Sequence, residues 1–147
     1  MRVMNFQDGI IEASFHHLGL LTDNPEAASI ALSTLGYFVA EPVVDPLQDV
    51  ILRMADGGPQ TARIEIITPR SLEGPLANLL KRRGDYMYPS CFGVMNVEIG
   101  TRKLAEVGLR VVTLSAPKPA ILFDNAKVSF HSIEGIGLVE FIEYGCR

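Results

Sequence analysis

The chain has 147 residues, enough for one domain and too few for two independent cores. Apolar residues make up 48% and charged residues 20%, which predicts a buried core and excludes a disordered chain. The formal net charge of −4 argues against a nucleic-acid partner, because phosphate binding draws on clustered Lys and Arg. The basic run Lys81-Arg82-Arg83 closes a predicted helix, where it suits the negative end of the helix dipole. The two cysteines, Cys91 and Cys146, form neither a CxxC pair nor a disulfide framework. No apolar run reaches the length of a membrane span, and Met1 to Gly9 lacks a signal-peptide pattern. The expectation is a soluble α+β domain in a reducing cytoplasm, with no membrane contact.

The first strand is expected over Ala13 to Leu21, with Phe15, His17 and Gly19 on one face and Ser14, His16, Leu18 and Leu20 on the other. Asp23 or Asn24 then caps a helix that has Pro25 at its first position and stops near Gly36. Its apolar face would carry Ala28, Ala31, Leu32 and Leu35. Three strands should follow: Tyr37 to Val44, which Pro42 shortens or confines to an edge, then Val50 to Met54, then Thr61 to Thr68. Ser71 to Arg83 reads as a helix with Leu72, Leu76, Leu79 and Leu80 on one stripe, its regular part starting at Gly74-Pro75, and Gly84 ending it.

The second half repeats the order. A strand around Pro89 to Val97 leads into a helix from Ile99 to Val107, ended by Gly108. Strands are expected at Leu109 to Leu114, Ala120 to Phe123, Lys127 to His131 and Gly137 to Tyr144. The closing strands of the halves, Arg63-Ile64-Glu65-Ile66-Ile67 and Leu138-Val139-Glu140-Phe141-Ile142, each set one carboxylate inside an apolar run. A duplicated module accounts for this.

Glu65 and Glu140 are the residues that call for chemistry. A carboxylate flanked by Ile, Leu, Val or Phe is costly to bury unless paired or bound to a cation. One such Glu is best read as a solvent-facing edge residue or as the partner of a nearby Arg; two at equivalent places in a repeat point to a shared inward site. His17 shares its face with Gly19, whose small size leaves room beside the imidazole. His16 should face the opposite side, and His131, near a strand end before Ser132, suits a turn. One imidazole with two carboxylates is a mixed donor set suited to Mn²⁺, Co²⁺, Fe²⁺ or Zn²⁺, with positions open for water or substrate.

The segments Phe15-His16-His17-Leu18-Gly19-Leu20, Ile64-Glu65-Ile66-Ile67-Thr68-Pro69 and Leu138-Val139-Glu140-Phe141 together resemble the vicinal oxygen chelate superfamily, the glyoxalase, bleomycin-resistance and dioxygenase group. Within it the chain looks most like methylmalonyl-CoA epimerases. The resemblance also takes in the Leu-rich stretch from Ile64 to Arg83 and Leu104-Ala105-Glu106-Val107-Gly108-Leu109. It implies two βαβββ modules, about 13–69 and 87–144, forming a cupped, partly open barrel within one domain spanning 1–147. It implies His17, Glu65 and Glu140 as ligands of a divalent metal, a homodimer, and a small-molecule substrate such as a CoA or other acyl thioester. It implies proton abstraction, as in an isomerase, lyase or hydrolase, with Glu140 or Asp49 as base. Two positions depart from the family pattern. Pro89 stands where a fourth ligand, a His, is expected, with Tyr88 or Ser90 as weak substitutes if the strand is offset. Leu47 stands where the family has a catalytic Glu. The alternative is a metal-free binding or sequestering protein. Cys91, beside the altered position, reads as a small buried hydrophobe.

Overall fold

The computed structural model describes residues 13–83 and 89–144. Cys146, Gly84 and Tyr88 lie outside them. The described residues form three α-helices and one mixed sheet of nine strands that is not closed into a barrel. The first half is β1 (Ala13–Leu21), α1 (Pro25–Thr34), β2 (Phe38–Val39), β3 (Val43–Asp45), β4 (Val50–Asp56) and β5 (Ile64–Pro69). After α2 (Pro75–Arg83), the second half is β6 (Ser90–Val94), α3 (Val97–Glu106), β7 (Val111–Pro119), β8 (Lys127–Ile133) and β9 (Gly137–Glu143).

Local chemistry explains most boundaries. The Asn24 side chain accepts from the Ala27 N–H at 3.2 Å and caps α1, with Pro25 in its first turn. Asn96 caps α3 in the same way, and the Glu143 carboxylate accepts from the Val97 N–H at 3.0 Å, tying the start of α3 to the end of β9. Gly36 and Gly108 take positive φ after their helices, as C-terminal glycines do. Pro42 falls between β2 and β3 and splits the expected single strand into two short pieces, both paired to β4.

Several expectations are corrected. Ala120 to Phe123 is not a strand: Ile121–Phe123 is a 3-10 turn, closed by Asp124 and Asn125 at positive φ. The Ala120 carbonyl accepts there from the Phe123 and Asn125 N–H groups, so the segment satisfies its own backbone. Ala31 and Leu35 do not join the buried face of α1; Leu32 carries it, with Ala28 packed alongside. Leu72 precedes α2 and is exposed, and its carbonyl accepts from Lys81. His131 is not at a turn. It is buried inside β8, with Ser129 Oγ 2.7 Å from Nε2 and Thr113 Oγ1 3.1 Å from Nδ1. Burial pushes its pKa down to about 4, so it is a neutral core histidine.

The strand order is β2-β4-β5-β1-β6-β9-β8-β7, with β3 also on β4. Each half therefore repeats one pairing scheme. β1 runs parallel to β5 with Gly19 opposite Glu65; β6 runs parallel to β9 with Cys91 opposite Glu140. The halves join where β1 and β6 pair antiparallel, His17 opposite Cys91. α1 and α3 cover one face of the sheet through Leu32 and Val97. The other face is also filled: Leu76, Leu79 and Leu80 of α2 pack on Leu21, Val50, Leu52, Ile67 and Phe130, while Ala120 and Phe123 pack on Cys91, Val128 and Ile142.

Gly19 shows how tight this inner face is. A Cβ added there would lie 2.7 Å from Pro89 Cγ and 3.3 Å from Ile67 Cδ1. The space expected beside the His17 imidazole is thus taken by the Pro89 ring. Replacing Gly19 by Ala should lower stability by roughly 1–3 kcal/mol, the usual cost of overpacking a core. Urea unfolding of G19A against the parent checks this, and an unchanged midpoint would contradict the packing described.

Candidate metal centre

His17, Glu65 and Glu140 come from three strands, β1, β5 and β9, and meet on the inner face. His17 Nε2 lies 3.2 Å from Glu140 Oε1 and 3.5 Å from Glu65 Oε1. All three are buried, at 0%, 2% and 3% exposure, so water does not share their charges. The contacts are short enough for ion pairing but not aligned as hydrogen bonds. Among the described residues, His17 Nε2, Glu140 Oε1 and Glu65 Oε2 have no hydrogen-bond partner. Buried polar atoms left this way are costly, and a shared partner would relieve them.

The donor set fits a cation. A tetrahedral ion with bonds of about 2.0–2.1 Å sets its ligand atoms about 3.3–3.4 Å apart. The two His17–Glu distances bracket that spacing.

The register also accounts for the fourth position. Gly19 faces Glu65 as Cys91 faces Glu140, so Gly19 and Cys91 are equivalent in the two halves. Two residues earlier, His17 is then equivalent to Pro89. The duplication gives the carboxylate twice and the imidazole once. The Pro89 carbonyl accepts from the Gly19 N–H at 2.7 Å, and Pro89 has no side-chain donor atom. Ser90 does not substitute: it pairs with Leu18 and Val139, on the helix-covered face.

Electrostatics follow from burial. For His17, burial lowers the pKa, but the two adjacent carboxylates raise it more, to about 9. For Glu65, burial raises the pKa and the Glu140 charge adds to this; His17 works against both, leaving it at about 7. Burial, with Glu140 next in effect, pushes the Cys91 thiol far above its usual range, so it is a neutral group and no nucleophile.

The sequence reading placed His16 on the opposite face, and this is corrected. Phe15 pairs with Phe92 and His17 with Cys91, so two residues of β1 oppose one of β6. This β-bulge turns both imidazoles inward. His16 Nδ1 lies 2.8 Å from His17 Nδ1, and the nitrogen and sulfur ligand atoms of His16, His17 and Cys91 all lie within 4.8 Å of one another. A single polar-polar step such as His16-His17 carries no signal of a bulge. Phe123 stacks on His17 with ring centroids 5.3 Å apart and meets His16 edge-on at 5.2 Å.

Asp49 is not brought to this cluster. It sits in a turn at φ 56°, half-exposed, 3.7 Å from Arg70 Nη1. It lines a cavity of about 160 Å³ with Gln48, Val50, Leu76, Lys118 and Phe130. Leu47, beside it, is exposed.

These charges set a pH dependence for the chelator-treated chain. The folded pKa of His17, about 9, lies above the ordinary 6.5. Its protonated form therefore adds stability that is present below pH 6.5 and lost as pH rises towards 9. Urea midpoints should fall across pH 6.5 to 9, and the fall should flatten in His17→Asn. A wild-type midpoint constant over that window would refute the ion-paired imidazolium.

Comparison with known proteins agrees with this architecture. No curated protein matches the chain. Among solved structures, methylmalonyl-CoA epimerase from Mycobacterium tuberculosis superposes with a TM-score of 0.65 at 19% identity, covering 88% of this chain and 86% of that one. The hypothetical protein BH1468 from Bacillus halodurans C-125 gives 0.67 at 21% identity, covering 92% and 97%. A Streptomyces coelicolor methylmalonyl-CoA epimerase variant in complex with 2-nitronate-propionyl-CoA gives 0.63 at 18% identity, covering 88% and 93%. At these identities the likeness is one of fold. The family model described as Glyoxalase/Bleomycin resistance protein/Dioxygenase superfamily matches residues 16–130, most of the chain, and the chain belongs to that superfamily.

Proposed function

We propose that this chain is a diverged methylmalonyl-CoA-epimerase-like enzyme. It removes a proton next to the carbonyl of a small acyl compound, a CoA or other thioester, with help from a divalent metal. The observation that carries the reading is the set of partnerless buried atoms on His17, Glu65 and Glu140. Idle ionisable groups in a dry core are a standing cost, and a cation relieves it. A bound divalent ion would supply Lewis-acid stabilisation of the enolate oxygen.

His17 Nε2, Glu65 and Glu140 Oε1 would hold the ion. Glu140 is assigned the proton, because it lies in the cluster where the developing charge is balanced. Asp49, which lines a cavity that Glu73 also borders, is the alternative base. The leucines of α2, Ala120 and Phe123 exclude water from the inner face, which strengthens every charge interaction there. The trio is buried beneath this cover, so a thioester would reach it only as the cover separates.

Pro89 favours a second reading, a metal-free binding or sequestering protein in which Glu65, near pKa 7, serves as a hydrogen-bonding acid. Two measurements separate them. Dialysis of the chain against Co²⁺ or Mn²⁺ should retain about one ion per chain, and Pro89→His should tighten retention by restoring an imidazole opposite His17. No retention by the parent chain leaves the metal-free reading. Incubation of the Co²⁺-loaded protein with methylmalonyl-CoA and related acyl thioesters in heavy water should place deuterium next to the carbonyl. Glu140→Gln should slow that exchange by about 10²–10⁴-fold, the usual contribution of a positioned base, and Asp49→Asn by far less. Metal retention without deuterium in any thioester would reject the enzyme reading.

A further inference from the structure

His16 is a polar side chain of the inner face to which neither the family pattern nor the reading above gives a task. Its placement is a product of the bulge in β1, which costs the sheet a regular pairing at that point. The bulge brings His16 Nδ1 to 2.8 Å from His17 Nδ1. One of these two nitrogens carries the proton and the other accepts it.

His17 decides which. To offer its Nε2 lone pair to a cation, a neutral imidazole must carry its proton on Nδ1. That proton then points at His16 Nδ1, which must accept, leaving the His16 proton on Nε2. Ligating histidines are usually fixed by a carboxylate or a carbonyl on the second nitrogen. Both carboxylates near His17 are on its Nε2 side. On the Nδ1 side, His16 is the hydrogen-bond partner. The His16 ring is itself set by edge-on packing against Phe123 and a tilted contact with Tyr144 at 6.0 Å.

We propose that His16 is a positioning residue of the metal centre: it accepts the His17 Nδ1–H, holds that ring in the tautomer whose Nε2 is free, and aims Nε2 between Glu65 and Glu140. The inference rests on the metal reading of the previous section, and it assigns His16 no contact with the ion.

Two substitutions separate positioning from packing. His16→Phe keeps the ring against Phe123 and Tyr144 but removes the acceptor. His16→Asn removes the ring but keeps an oxygen at the position of Nδ1. The measurement is the Co²⁺ dissociation constant, by competition with a chromophoric chelator, alongside urea midpoints. His16→Phe should weaken Co²⁺ binding by about 10–100-fold, the usual loss when the partner of a ligating histidine is removed. His16→Asn should stay within about threefold of the parent by the same logic, even where its urea midpoint falls. The reverse order, with Asn weak and Phe unchanged, makes His16 a packing residue and overturns the proposal, as does equal affinity in all three proteins. A parent chain that binds no Co²⁺ fails earlier, at the metal reading, and removes the proposal with it.

Discussion

Two carboxylates and one imidazole share a space that water does not enter, and this charge problem governs the rest of the inner face. Glu65 and Glu140 together carry two negative charges, and His17 can return one positive charge. Such an imbalance in a low dielectric is resolved by a proton or by a cation. The raised pKa of Glu65, about 7, is the proton solution in this structure. A divalent ion is the other, and it would use the same atoms. Among the described residues no Arg or Lys pairs with the trio; Arg53 with Glu26 and Arg70 with Asp49 are pairs at exposed carboxylates outside it.

The duplication shows why the centre is lopsided. Equivalent registers place Glu65 and Glu140 symmetrically, and the symmetric scheme would place an imidazole in each half. Proline at 89 breaks it. The substitution is accommodated by Gly19, whose missing side chain leaves the surface on which the proline ring packs. The bulge in β1 adds a second imidazole, His16, beside His17. The first half therefore contributes an imidazole pair and the second half contributes an apolar ring and a thiol. A cation here would be bound from one side more than the other.

Much of this was legible in the sequence, and the parts that were not have physical reasons. Period-two patterning and the apolar flanks of Glu65 and Glu140 located the closing strands and the trio, because burial on both faces of a central strand leaves a strong compositional mark. The start of α1 at Asp23 or Asn24, which the structure gives to Asn24, and the stops at Gly36 and Gly108 are readable because they are satisfied locally. The position of His16 was not, since an alternating pattern assumes regular pleating and a bulge shifts the face of each residue by one. Ala120 to Phe123 reads as a strand because Ala120, Leu122 and Phe123 do turn inward, but they do so from a 3-10 turn that leaves Ile121 exposed. The exposure of Leu35 and Leu72 was equally hidden, because amphipathic spacing says which residues share a stripe and not where the stripe ends.

The cover over the centre bears on how such a site can work. It consists of apolar side chains: Leu76, Leu79 and Leu80 from α2, Ala120, and the Phe123 ring on His17. Dispersion and burial of these apolar side chains hold it against the sheet. Phe130 has a special place in it. This side chain packs against Leu76 in the core and also lines the cavity that holds Asp49, while its backbone pairs directly with Glu140 in β9. Phe130 thus borders both the cavity and the strand position opposite Glu140. An acyl group that displaced Phe130 and Leu76 would replace apolar contacts with its own and arrive beside Glu140 in a dry pocket, the condition under which removing a carbon-bound proton is least opposed by water.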